Sequence, residues 1–384
     1  MAAEKKYTFL TYHWFCWKLL GINGIGVYSR IYHAIFALCY NIMVTMPLMP
    51  LHYILTFLLM DQTPTELHNN LSNCAANISG TLKFLVFFIK MKNMHEMEKI
   101  LSDLEHRVEA TEDIQYYKEL QQKVRRITNI YKLVYCALPS TLIADWLFSS
   151  ERRLVLTGVW LSFNSVKSAL AYWLTCMFQC TGLYCQIFAY IATDCFPPMA
   201  LLWLSGHIEL LAKRISHIGW QVREINEELQ RLSNEQELQK CFKNLKYLFD
   251  LIHNIISPSM FVQFTVTAFI VCNLVIVGMF YAKTSSEYIS LFCLILGNLV
   301  QIFPCCYFGK KMEKSFHDLS YAVFCCNWTH QGRKFKRHML LFTERCLRRK
   351  KATAGRILNI YLDTLIATYK GAYSMFAVVM RMKN

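Results

Sequence analysis

The sequence predicts an all-α membrane protein of seven transmembrane helices, with a cytoplasmic N-terminus, an extracellular C-terminus and a cytoplasmic helical anchor region. Two observations carry this prediction. The first is a set of long runs without Asp, Glu, Lys or Arg: 31–60, 251–282 and 288–309 hold none, and 168–209 is broken only by Asp194 before it closes on Glu209. A bilayer core takes about 20 apolar residues of helix. The second is the placement of basic residues, once 71–89 (holding only Lys83), 127–144 (only Lys132) and 357–380 are added as spans. Of the 41 Lys and Arg, 32 fall in 1–30, 90–126, 209–250 and 310–356, and 6 fall in the segments that alternate with these. Basic segments are retained in the cytoplasm, and an odd number of spans puts the two termini on opposite sides.

The elements follow in order. Residues 1–30 are expected as a cytoplasmic segment near the membrane, with Trp14, Phe15 and Trp17 at the interface. Spans 1 to 6 occupy 31–309. Pro47 and Pro50 kink the outer half of the first, and Asn70-Leu71-Ser72 is a glycosylation pattern on the predicted outer side. Span 2 is polar in its outer half (Asn73, Asn77, Ser79, Gly80, Thr81) and aromatic in its inner half (Phe84, Phe87, Phe88). Polar groups in lipid must face protein or a cavity, so this half either packs helices together or lines a ligand site.

Residues 90–126 alternate acids and bases at helical spacing and read as a cytoplasmic helix preceding span 3, in which Pro139 sits midway. An outer loop with Trp146, Arg152, Arg153 and Trp160 leads to span 4. As one helix, 168–214 would reach about 70 Å, so its second half, past the Pro197-Pro198 bend, projects into the cytoplasm. Together 90–126 and 195–250 form cytoplasmic helical extensions. Spans 5 (251–282) and 6 (288–308) make a hairpin through the short 283–287 turn. The segment 315–329 reads as a separate buried cytoplasmic helix, and 310–356 as an anchor helix with a basic loop. The last span, 357–380, carries Asp363, Lys370 and hydroxyl residues that a helix facing only lipid would not keep.

Several chemistries are excluded. No Gly-rich phosphate loop or His-Glu-x-x-His appears, and no paired carboxylates lie inside a plausible site, so no catalytic residue, cofactor or metal is expected. The 16 Cys have no metal spacing and read as packing residues. The charges within spans (Lys83, Lys132, Asp194, Asp363, Lys370) are scattered singly and read as structural. The net charge of +15 is the loop asymmetry and not a nucleic-acid surface, since no soluble domain is left to carry one.

Four places in the chain resemble one family. They are Gln179 with Asp194-Cys195-Phe196 and the His207…Leu211 helix; His253 with Gln263-Phe264; Gln301-Ile302-Phe303-Pro304-Cys305-Cys306-Tyr307-Phe308-Gly309; and Ser315…Tyr321-Ala322…Trp328, Ala354-Gly355, then Lys370-Gly371-Ala372-Tyr373-Ser374-Met375-Phe376. This pattern is similar to that of the insect odorant receptors, with Asp194, Tyr321, Trp328, Lys370, Tyr373, Ser374 and Phe376 as its structural signature. Cys305-Cys306 departs from the more polar pair common there. A gustatory receptor of the same superfamily would carry Gln-Phe after Thr368-Tyr369, and this chain does not. A G-protein-coupled receptor would reverse the charge asymmetry. A transporter would show internal repeats.

The resemblance implies an odorant-tuning subunit of a non-selective cation channel, assembled as a heterotetramer with a shared co-receptor in the plasma membrane of olfactory neuron dendrites. It implies a volatile organic ligand held in the outer half of the bundle. The candidates are Cys74, Asn77, Ile78 and Thr81 on span 2, Ala137, Ser140 and Ala144 on span 3, Gln179 and Leu183 on span 4, and Phe269 and Asn273 on span 5. It makes the last helix the pore wall. There Val378 and Met382, four apart on one face, are the candidate gate, with Arg381 beside them as a ring that would oppose cations in a homotetramer. Asn70 is the candidate glycosylation site.

Overall fold

The computed structural model describes residues 14, 17, 46–105, 111–148, 168–220, 227–283, 285–348 and 351–383. The N-terminal segment (apart from Trp14 and Trp17), the first half of span 1 and most of the 145–167 loop lie outside the described residues. The helices are α1 (Met46–Leu59), α2 (Pro64–Ile89), α3 (Met91–Glu105), α4 (Thr111–Leu147), α5 (Ala169–Asp194), α6 (Phe196–Ser216), α7 (Glu227–Phe280), α8 (Ser285–Ala322), α9 (Arg333–Leu347) and α10 (Leu362–Lys383). A hairpin of two short strands, β1 (Thr353–Ala354) and β2 (Leu358–Asn359), precedes α10. Among the described residues, four helical stretches are long and apolar enough to cross a membrane: Glu66–Ile89, Ala169–Ser216, Glu228–Phe280 and Glu287–Cys325. The end of the bundle where α1 and α2 meet is called upper here, and the opposite end lower.

Local chemistry sets where these helices begin and break. α2 starts at Pro64, ahead of the apolar run, because Thr63 and Glu66 form a capping box: Thr63 N donates to Glu66 Oε2 at 2.9 Å and Glu66 N to Thr63 Oγ1 at 3.4 Å. Proline at the first helical position costs no hydrogen bond. The break between α5 and α6 falls at Cys195, where Pro197 and Pro198 cannot donate to the carbonyls of the preceding turn.

Two expected boundaries disappear. The charged 219–250 region and span 5 join into α7, one helix of 54 residues, about 80 Å at 1.5 Å per residue. The expected separate helix at 315–329 is instead the lower end of α8, closed by a 3-10 turn at Val323–Cys325. Pro258 and Pro304 lie inside these two helices without ending them, and both are longer than a bilayer crossing needs.

The last helix starts at Leu362 and not at 357, because 353–359 is a hairpin turned by Gly355 and Arg356, with φ of 59° and 62°. It is wedged against its neighbours. Gly355 N donates to Ser257 O at 2.9 Å, His253 Nε2 lies 2.8 Å from Thr353 Oγ1, and a Cβ on Gly309 would sit 2.4 Å from Ile360 O. The signature residues His253, Gly309 and Ala354-Gly355 are thus parts of one joint between α7, α8 and the hairpin.

Packing is uneven along the bundle. One large core fills the lower half, centred on α6, whose Phe196, Met199, Ala200, Leu204 and Ile208 are fully buried. Trp17, expected at the membrane interface, is instead buried in this core against Phe84 and Phe87, at ring distances of 5.5 and 6.4 Å. Among the described residues, the upper half holds three small clusters: Ile270, Leu274, Val277 and Leu291; Tyr53 and Cys74; Tyr172 and Cys176.

Candidate ligand site and the polar centre beneath it

The upper half is held by amide contacts between helices. Asn77 of α2 donates to Asn73 O at 2.6 Å, and its Oδ1 accepts from Gln186 Nε2 of α5. The same Gln186 amide lies 3.0 Å from the Tyr190 hydroxyl, which donates to Ala76 O at 2.9 Å. Tyr190 can lie across α2 only because residue 80 is glycine: a Cβ there would sit 1.9 Å from the ring. On the α7 side, Asn273 Nδ2 donates to His68 O at 2.6 Å and to Ser72 Oγ at 2.5 Å, and its Oδ1 is 2.5 Å from His68 Nδ1.

The other sequence-predicted positions divide into inward and outward groups. Cys74 is buried against Tyr53 and Phe57, and Thr81 donates to Asn77 O at 3.0 Å. Gln179 is buried, and Leu183 packs with Tyr172, Cys176, Ile143 and Trp146. Ala144 is half-buried. Ile78 and Phe269 are 38% and 44% exposed and turn away from this interior, as do Ala137 and Ser140, the latter bonded to Cys136 O at 2.7 Å and near Tyr184. The helical spacing placed them one position off the inward face, a shift of about 100° on a helix.

Directly below lies a centre that the sequence reading did not assemble. Lys83 of α2 and Asp194 of α5, read as isolated charges, form a buried ion pair. Lys83 Nζ also donates to Gln263 Oε1 of α7 at 2.6 Å and lies 5.7 Å from the Tyr190 ring centroid. Asp194 Oδ2 accepts from Tyr135 of α4 at 2.6 Å. Gln263 Nε2 donates to Gln301 Oε1 of α8 at 2.7 Å, and Tyr131 of α4 reaches Val300 O at 3.1 Å. Five helices therefore meet on one closed polar network, with every charge paired as burial requires. The signal available in the sequence was the presence of Lys83, Asp194, Gln263 and Gln301 inside spans; their partnership was not.

α10 presents the C-terminal signature outward. Lys370, Tyr373 and Ser374 line an open groove of about 610 Å³ with Leu299, Leu365, Ile366 and Tyr369, and Tyr373 is 65% exposed. Arg381 is exposed as well, while the side chains of Phe376, Val378 and Met382 lie outside the described residues. Farther down, Tyr321 is exposed against His317, and Trp328 is half-buried with Lys336 Nζ 5.8 Å from its ring. Asn70 is buried, its amide turned inward to Gln62 Oε1 at 3.3 Å.

Comparison with known proteins bears on the whole chain. A family model described as 7tm Odorant receptor matches residues 63–373. Odorant receptor 59a of Drosophila melanogaster is 31% identical over 98% of both chains, and odorant receptor 23a of the same fly is 31% identical over 83% of each. The solved olfactory receptor OR5 of Machilis hrabei superposes with a TM-score of 0.79 at 11% identity, covering 96% of this chain and 97% of that one. OR5 was also solved in complex with eugenol, and that structure matches with a TM-score of 0.72 at 12% identity over 98% and 100% of the two chains. This chain belongs to the 7tm odorant receptor family.

Proposed function

We propose that this receptor is the odorant-tuning subunit of a ligand-gated cation channel, working as a heterotetramer with a co-receptor of the same family. Its N-terminus is cytoplasmic and it serves in the dendritic membrane of olfactory neurons. The observation that carries the ligand part is the loosely clustered upper half, where Asn77, Gln186, Tyr190 and Asn273 bring polar groups together among apolar walls. Ligand sites combine such walls with a few orienting polar groups, and the solved eugenol complex of OR5 supports a small organic ligand. Asn77, Thr81, Cys74, Gln179, Leu183, Ala144 and Asn273 are the residues of choice, with Gln186 and Tyr190 added.

The exposed signature face of α10 supports assembly, since Ile366 and Tyr373 are 53% and 65% exposed. Val378 and Met382 form the gate and Arg381 opposes cations there, so the subunit alone makes a poor channel. Cells expressing the receptor with the co-receptor should give odorant-evoked cation currents, and cells expressing it alone should not. Robust currents without the co-receptor would refute the role given to Arg381. External accessibility of an N-terminal tag in intact cells would overturn the orientation.

A further inference from the structure

A second cavity lies at the lower end, remote from the odorant region, between α4, α6 and α7. It holds about 350 Å³, within the range of small-ligand pockets. Its polar lining is Tyr117, His207, Arg214, Glu237, Lys240 and Asn244, and the rest of the wall is mostly leucine, Leu210 and Leu248 among it.

The cations of this lining point to an anionic guest. Arg214 and Lys240 make no ion pair among the described residues, unlike neighbouring Lys213, which is held by Glu112 and Asp113 at 2.8 and 3.1 Å. Among the described residues, two cations without an ion pair therefore stand against the single carboxylate of Glu237. His207 is 93% buried, given its 7% exposure, and its Nδ1 lies 2.9 Å from the Tyr117 hydroxyl. Its Nε2 is buried with no hydrogen-bond partner among the described residues, and the Tyr117 hydroxyl can donate to Nδ1 or accept from it according to the ring's tautomer. A guanidinium, an ammonium and the Asn244 amide form a donor set for which a phosphate supplies several acceptor oxygens. Arg214 is suited to engage two of them at once.

We propose that this cavity is a phosphate-binding site, distinct from the odorant site, whose guest is either the headgroup of an anionic lipid or a soluble phosphate ester. The leucine wall suits either guest, since each carries an organic body behind its phosphate.

The test uses the purified full-length receptor in two arms. In one it is placed in phosphatidylcholine nanodiscs with or without phosphatidic acid. In the other it is titrated in detergent with inorganic phosphate against chloride at equal ionic strength. Thermal unfolding is followed in both. A rise in midpoint is expected in at least one arm, because a ligand that binds only the folded state stabilises it. A rise in the nanodisc arm alone assigns a lipid headgroup, and a rise with phosphate assigns a soluble ester. The double variant Arg214→Gln/Lys240→Gln should lose the rise, and Lys118→Gln, on the exposed face of α4, should keep it. No rise in either arm, or an undiminished rise in the double variant, overturns the proposal. Neither arm reads a current or depends on how the chain is oriented in a cell, so this site and the channel reading fail separately.

Discussion

The lower and upper halves of the bundle are built from the same kinds of helix but packed in opposite ways. Below, α6 sits in a continuous core, its tryptophan, phenylalanine and leucine side chains out of contact with solvent. Above, the described residues of the helices meet through three small clusters and a few amide bonds. Close-packed interiors resist any change of volume, whereas a region tied by a few polar contacts can open or re-form around a guest. The Lys83–Asp194 centre lies at the boundary and ties five helices into one base. The difference teaches that a receptor tuned to small molecules can keep its adaptability at one end without loosening the other.

The comparison breaks first if the centre is dispensable. Asp194→Leu leaves the Lys83 ammonium buried and unpaired, a loss of about 3–5 kcal/mol against a total stability of about 5–15 kcal/mol. Surface expression of this variant should collapse, and Lys83→Met/Asp194→Leu should recover most of it. Normal expression of Asp194→Leu alone would show that the base is not held this way.

Next in size is the joint at the hairpin. Gly309→Ala places a methyl 2.4 Å from the Ile360 carbonyl, a backbone atom that cannot rotate aside. A loss of about 1–3 kcal/mol should appear as a lower unfolding midpoint.

In the upper half, stability effects no larger than at the joint should come with large changes in response. Asn77→Leu leaves Gln186 short of its partner, costing about 1–3 kcal/mol, and Gly80→Ala displaces the Tyr190 ring. Both should alter the odorant response profile of the co-expressed receptor. A profile unchanged in Asn77→Leu would remove span 2 from the site.

The smallest effect is expected at the exposed lower surface. Lys213 beside Glu112 holds that carboxyl below its ordinary pKa of 4.5. Any stability it adds is therefore present above that value and fades as pH falls through the depressed one. Exposed pairs contribute little, so Glu112→Gln should leave the unfolding midpoint unchanged within error.

Particular residues show why the sequence could be read only so far. The sparsely charged run 168–209 and the uncharged runs 251–282 and 288–309 named three of the long apolar helices because the bilayer excludes charge regardless of what packs alongside. Pro197-Pro198 marked the break after Asp194 because proline acts on its own turn. The 353–359 hairpin stayed hidden, since two-residue strands leave no period to detect, and α10 was started too early in consequence. Ile78 and Phe269 shared the apolar character of their inward neighbours, so composition could not say which way each faced.

By itself, then, the sequence determined the helical membrane class, the long apolar stretches, the family signature and the polar character of span 2. These are local properties, written in composition, charge and turn chemistry. Only the tertiary structure decided that Lys83 meets Asp194, 111 residues away, that Asn77 and Asn273 are engaged by Gln186 and His68, and that the signature of α10 faces outward. Those facts depend on the rotation and register of helices distant in the chain. Side chains settle them by packing against one another.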